Sequence, residues 1–422
     1  MHRQPDFLKN LQNELANGRL WVDRSIVLAY AIAAGLSVVA FTLLADWAFA
    51  QFERILHWQG GWAVLVWTPA CTAAIVWATR RFAPGAAGSG IPQVMAALDP
   101  AVDDTQRSRF VSLRLTVAKI VLGGAGFLAG LSIGREGPSV QVAAGVMQHA
   151  RRWLGPHSGI TGHGLLVAGG AAGIAAAFNA PLAGVVFAIE ELSRKLESRS
   201  SGLIITAIVL AGLMGVSAFG NRSYFGVIQV TRLGWDALLP GLMVVFTCGV
   251  LGGLFAKLMA ASLTGSPERM NRLRARFPVR FAAGGGLAIA VIGLVTGGAT
   301  FGAGSEAVKH MLEGHADVPS FYVTLKFIAT WLAAWCGVPG GIFAPSLSIG
   351  AGVGHNVSLL AGADIAPALI AMGMAAFLAA VTQAPLTAFI IVMEMVDGHA
   401  MVLSLMASAM LASLVSRMLA RP

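Results

Sequence analysis

Charge is scarce in this sequence. Lys, Arg, Asp and Glu make up 12% of its 422 residues, whereas hydrophobic side chains make up 56%. A soluble domain carries about 25% charged residues, so this chain has too few to cover a water-facing surface. Cysteine is scarcer still: the three are Cys71, Cys248 and Cys336, all in apolar runs. An odd number favours buried free thiols over a disulfide framework, and no Cys/His metal spacing is present. Hydrolase signatures are missing too. No HExxH occurs, and the nearest approaches to Gly-x-Ser-Gly, at Ser89 and Ser158, carry Ala87 and Pro156 in the first position. No serine has a base partner on a neighbouring helix. The expectation is a protein that is not an enzyme and uses no cofactor. The stretch from about Pro5 to Arg24 is polar and lacks a signal peptide's apolar centre. It reads as a cytoplasmic amphipathic helix.

Long apolar runs are abundant. A helix needs about 20 apolar residues to cross the hydrocarbon layer, and Ile26–Ala50, Gly61–Thr79, Leu113–Leu131, Ser201–Phe219, Trp235–Leu263, Phe281–Thr300 and Val318–Gly337 suit that length. Between them lie shorter apolar stretches: Pro138–Val146, His163–Ala177, Ala180–Leu192, Pro345–Gly354 and Pro385–Val396. Short helices persist at membrane depth only against protein or beside a wet cavity. The excess positive charge, +9, is clustered at Arg80-Arg81, Arg151-Arg152, Arg194-Lys195 with Arg199, and Arg269–Arg280. Such clusters mark cytoplasmic loops and contacts with anionic lipid. No nucleic-acid-binding fold accompanies them, so no nucleic-acid partner is expected.

The chain also repeats itself. Residues 164–192 return as residues 368–396 with ten of 29 positions identical, including Ala180-Pro181-Leu182 against Ala384-Pro385-Leu386 and Glu190 against Glu394. Upstream, GREGPSV at Gly134–Val140 recurs as GIFAPSL at Gly341–Leu347. Two related hydrophobic halves, each interrupted by Gly and Pro at the same place, are the pattern of a membrane transporter with its site between the halves.

Three Gly/Pro-rich breaks precede apolar helices: Gly88–Pro92 (GSGIP), Gly134–Ser139 (GREGPS) and Gly340–Ser346 (GGIFAPS). A helix starting inside the protein leaves several N–H groups unpaired at the positive end of its dipole, a site suited to a small anion. Only Arg135 adds a cation at these breaks. Amide dipoles hold an anion weakly enough to release it, as conduction requires. Glu136 stands where the second half has Phe343, and an acid at that depth is a functional candidate. Its carboxylate can occupy the amide cradle in place of an anion and leave when protonated, acting as gate and proton carrier. Glu190 recurs as Glu394 and reads as structural, paired with a buried cation. Glu191, replaced by Met395, is the candidate for a special task. Lys119 and Lys326 are symmetric and read as paired structural charges.

GSGIP, GREGP and GGIFAP, followed by AAFNAPLAG and QAPLTA, resemble in order and spacing the CLC family of chloride channels and chloride/proton antiporters, over about residues 20–422. The resemblance implies an all-α polytopic membrane protein of about 18 tilted, partly re-entrant helices in two inverted-topology repeats. The divisions are a cytoplasmic N-terminal helix over 1–24, a first membrane repeat over 25–220 and a second over 221–422. It also implies a homodimer in the bacterial inner membrane with cytoplasmic termini. Carried over by position, the Ser89 hydroxyl and the amides of Ile342 and Phe343 hold the central chloride. Amides near Arg135, Glu136 and Gly137, with those of Phe343 and Ala344, form the outer site. Glu136 is the outer gate and proton carrier, and Glu191 the inner proton acceptor. The implied activity is chloride/proton exchange, the alternative being a passive glutamate-gated chloride channel. Ser89 favours chloride over the fluoride-exporting branch. Two departures stand out. The family's tyrosine beyond the last long helix has no counterpart among Tyr30, Tyr224 and Tyr322, and Met95 replaces an acid found in some relatives.

Overall fold

A computed structural model describes residues 18–155, 158–193, 201–220, 224–225, 234, 237–264, 268–314 and 318–419. Eighteen α-helices and one isolated β-bridge occur among them. The first, α1, runs over Gly18–His57, and its 40 residues exceed one perpendicular crossing, so it must tilt. Residues 18–24 are its opening turns. The rest of the polar N-terminal helix expected over 1–24 lies outside the described residues.

Continuing through the first half, α2 is Val64–Phe82, α3 Ile91–Leu98, α4 Asp104–Arg107, α5 Leu113–Leu128, α6 Glu136–His149 and α7 Gly162–Ala177. Then α8 covers Pro181–Phe187 and passes into a π-turn at Ala188–Leu192, and α9 is Ser201–Phe219. In the second half come α10 (Leu238–Thr264), α11 (Glu268–Arg276), α12 (Pro278–Val295), α13 (Ser305–Leu312) and α14 (Tyr322–Cys336). The last four are α15 (Phe343–Ala361), α16 (Ala366–Thr382), α17 (Pro385–Met395) and α18 (Val402–Leu419). Most long runs read from the sequence end within a turn or so of an observed helix. Two long apolar helices were not among those runs, α16, which lay inside the repeated segment, and α18. In α18, Ser404, Ser408, Ser413 and Ser416 break up the hydropathy. Three of these serines bury themselves among helices, with Ser408 donating to the Ser404 carbonyl and Ser416 to that of Ala380. Among the described residues, six helices are long and apolar enough to cross a membrane.

Apolar burial cannot drive helices together in lipid, so small residues that admit close backbone contact do that work. The tightest crossings recur in both halves. Helix α7 lies on α6 at Gly169, where a Cβ would come 2.7 Å from the Ala144 Cα. Helix α16 crosses α15 at Gly350 and Gly373, whose backbones touch. The cysteines are free, with Cys248 and Cys336 buried and Cys71 half-buried.

Candidate functional site

The three Gly/Pro breaks meet. Gly134 and Gly341 form the β-bridge, each amide donating to the other's carbonyl at 2.7 Å. The Gly88 amide donates to the Val338 carbonyl at 3.2 Å and the Gly340 amide to the Gly88 carbonyl at 3.1 Å. Segments more than 200 residues apart are thus stitched edge to edge, immediately before the first turns of α6 and α15. Helix α3 enters from the same knot through Gly90, whose φ of 110° is a conformation that suits glycine.

At none of these three helix starts does the residue in the cap position, Gly90, Arg135 or Ile342, supply a side-chain capping hydrogen bond. Their leading amides therefore keep the capacity to hold an anion. A Cβ on Gly137 would collide with the Ser89 Oγ and lie 3.3 Å from the Gly341 Cα. Ser89, Gly137 and the α15 entry accordingly converge, and only glycine at 137 permits it. Of the residues expected to act on the anion, Ser89, Arg135, Glu136, Gly137, Ile342, Phe343 and Ala344 are brought together here.

Glu136 is buried, with 1% of its surface exposed. Its carboxylate faces the main-chain amides of Arg135, Glu136 itself and Ala344, so it lies where the two helix starts converge. A Cβ on Gly134 would meet both Glu136 Oε2 and the Ala344 side chain. Among the described residues, Oε2 has no hydrogen-bond partner, and neither do the fully buried Ser139 and Ser346 hydroxyls one turn into α6 and α15.

The Arg135 side chain turns away from this cradle. Its guanidinium pairs with Asp46 of α1 and donates to the Tyr224 hydroxyl at 3.1 Å, and the same hydroxyl lies 3.2 Å from the Ser305 Oγ. Only the amide of Arg135 is thereby left to the cradle. Asp46, Arg135 and Tyr224 line two neighbouring cavities of about 610 and 260 Å³. Asp46 and Tyr224 escaped the sequence reading, because each lies 89 residues from Arg135 with no motif around it.

Glu191 is elsewhere, half-buried in the π-turn that ends α8. The adjoining Leu192 packs with Val94 of α3 and Val140 of α6 around Gly170. The turn therefore shares a packing cluster with two of the helices that form the knot.

The symmetric charges have main-chain partners. Lys119 is fully buried and donates to the carbonyls of Ala86 and Gly88 at 2.8 and 2.6 Å. Lys326, equally buried, donates to Thr300 and Gly302 at 3.0 and 2.7 Å. Each lysine holds a glycine turn in front of a short helix, which exposes a fourth break, Gly302–Ser305, leading into α13 through Gly304 at φ 87°. The sequence reading missed it because it lacks proline. The cation expected beside Glu190 is replaced by amides: the Glu190 carboxylate accepts from Leu386 and Thr387 at 3.0 and 2.6 Å, at the start of α17. Reciprocally, Glu394 accepts from Leu182 and Ala183 at 3.2 and 2.7 Å, at the start of α8. Each half caps a helix of the other.

Uncapped helix starts joined by hydrogen bonds within a polytopic helical protein define a membrane transport protein whose cradle is made of main-chain amides. The voltage gated chloride channel family model matches residues 71–417, and the chain belongs to that family, the CLC proteins. Its fold is similar to that of a slow cyanobacterial Cl⁻/H⁺ antiporter, with TM-score 0.81 and 24% identity over 95% of each chain. It is also similar to a CLC-type fluoride/proton antiporter, with TM-score 0.78 and 21% identity over 95% of this chain and 96% of the other. A eukaryotic CLC transporter matches with TM-score 0.76 and 23% identity, over 95% of this chain and 73% of the other. At these identities the likeness is one of fold.

Proposed function

We propose that the protein exchanges chloride for protons across a membrane. The observation that carries this reading is the Glu136 carboxylate lying against amides of both helix starts, on the spot an anion would take. A carboxylate and a halide compete for the same dipoles. Protonation removes the charge that the amides favour, so a proton arriving at Glu136 releases the side chain and admits chloride. The amides of Ile342 and Phe343 with the Ser89 hydroxyl hold the inner anion. The amides of Arg135, Glu136, Gly137, Phe343 and Ala344 hold the outer one. Glu191 receives protons from the cytoplasm and relays them toward Glu136, which passes them outward. No cofactor takes part beyond chloride and proton themselves.

Two structural neighbours are described as proton antiporters, which supports coupling, and Ser89 at the first break supports chloride as the anion. The basic clusters support a cytoplasmic position for the loop around Arg269–Arg280, and the family resemblance supports cytoplasmic termini, a bacterial inner membrane and a homodimer surrounded by lipid.

The test is proton flux driven by a chloride gradient in liposomes. The intact protein should move protons uphill against chloride, and Glu136→Gln should carry chloride passively with no proton movement. Glu191→Gln should do likewise while keeping the gate. An intact protein whose reversal potential ignores the pH gradient would be a passive channel, and a Glu136→Gln variant that still moved protons uphill would end the assignment of Glu136.

A further inference from the structure

The short helix α11 and the residues flanking it form a surface that the transport reading does not use. It connects α10 to α12, both long and apolar enough to cross the membrane, so it lies at the membrane boundary. Between Thr264 and Ala299 the sequence holds five arginines and a single acid, Glu268.

The two faces of α11 differ in exposure. One is fastened to the protein: the Arg274 guanidinium donates to the Ser262 carbonyl at 3.0 Å, and the Asn271 Oδ1 accepts from the Trp335 indole at 2.9 Å. The other presents Arg269, Arg272 and Arg276, spaced i, i+3 and i+7 and all exposed, so they form one stripe. Arg280, one turn into α12, continues it. Arg276 and Arg280 each set a guanidinium 5.2 Å from the centre of the Phe277 ring, which holds both heads at the boundary. Arg80 and Arg81, exposed at the end of α2, extend the charge, since Arg274 lies within electrostatic reach of Arg80.

Exposed apolar side chains accompany the arginines: Met270 and Leu273 on α11, and Trp77 and Phe82 in edge-to-face contact on α2. A soluble polyanion would cover the guanidiniums and leave these in water. A lipid leaflet satisfies both, with phosphates for the arginines and acyl chains for the apolar groups.

We propose that this surface, centred on Arg269, Arg272, Arg276 and Arg280, binds the headgroups of anionic phospholipids in the adjoining leaflet. The site goes beyond the exchange reading and does not depend on it.

The experiment uses the full chain in nanodiscs of phosphatidylcholine carrying a trace of spin-labelled phosphatidylglycerol or spin-labelled phosphatidylcholine. The motionally restricted fraction of each label measures which lipid the protein retains. The intact protein should retain the anionic lipid in preference. Arg276→Gln and Arg280→Gln should each lower that preference about fivefold, as expected for one basic residue at an anionic surface. Phe277→Leu should weaken it with the charge unchanged. A thermal midpoint in phosphatidylcholine alone equal to that of the intact protein shows that the variants are folded. Arg151→Gln/Arg152→Gln, which removes a basic pair outside this surface, should lower the preference less than either single variant does. Equal retention of both labels by the intact protein overturns the proposal. So does an equal fall in the Arg151/Arg152 control, which would reduce the effect to net charge. Loss of the preference to inorganic phosphate at matched ionic strength also overturns it, by assigning the patch to soluble anions.

Discussion

The two halves of the molecule are alike in scaffold and unlike in chemistry. Lys119 and Lys326 each hold two carbonyls of a glycine turn, and Glu190 and Glu394 each cap the other half's helix. Asn179 and Gln383 both take the left-handed conformation at the turn before α8 and α17, with φ of 55° and 61°. Ser139 and Ser346 repeat at the knot, but the side chains assigned to transport do not. Glu136 faces Phe343 across the repeat, Glu191 corresponds to Met395, and Ser89 in the turn held by Lys119 corresponds to Ala303 in the turn held by Lys326. Duplication thus accounts for the frame, while the side chains assigned to anion and proton, Ser89, Glu136 and Glu191, all belong to the first half.

That division can be broken by exchanging residues between the halves. The largest effect is expected of Glu191→Met, which gives the first half the second half's residue. Proton flux in liposomes should fall to background while chloride flux persists. Retained coupling would remove Glu191 from the proton route. Lys119→Met and Lys326→Met come next. Each removes two charge-assisted hydrogen bonds to main-chain carbonyls, at a cost of about 1–3 kcal/mol apiece, and the two variants should lose stability to a similar extent by thermal unfolding followed through tryptophan fluorescence. A large disparity would show that one lysine has a task beyond the frame. Glu190→Gln and Glu394→Gln should each cost about 1–2 kcal/mol, because an amide in place of the carboxylate opposes one N–H donor with another. Coupling should survive both. The smallest effect is expected of Ser89→Ala, which removes one hydroxyl donor from the inner anion. Chloride binding by calorimetry should weaken about fivefold, near 1 kcal/mol, whereas Ala303→Ser should leave it unchanged.

Most of the fold was legible because lipid constrains sequence so strongly. Runs such as Ser201–Phe219 coincide with their helix, and the repeated motifs marked the starts of α6 and α15 within a residue or two. What escaped has physical reasons. The Gly302–Ser305 turn lacks proline and sits at a different spacing from its counterpart, so neither composition nor register flagged it. The last helix hides its apolar face behind serines that bond to carbonyls. Long-range partners were out of reach: the Arg135–Asp46 and Arg135–Tyr224 contacts come from tertiary geometry, which no local pattern encodes. Glu190 was assigned to the frame because it repeats, but a cation was expected where two amides serve. A carboxylate at a helix start is satisfied by the backbone as readily as by a lysine.

The reciprocal pair of hydrogen bonds between Gly134 and Gly341, with the strut from Gly88, has a kinetic consequence. Neither helix start can swing aside by itself, because displacing one drags the opposite half along or severs several buried bonds at once. In the exchange proposed above, the substrate would meet a passage whose walls stay put, and the moving part would shrink to the Glu136 carboxylate rotating about its side-chain bonds. Cycles limited by a rotamer hop run far faster than cycles limited by rocking whole bundles.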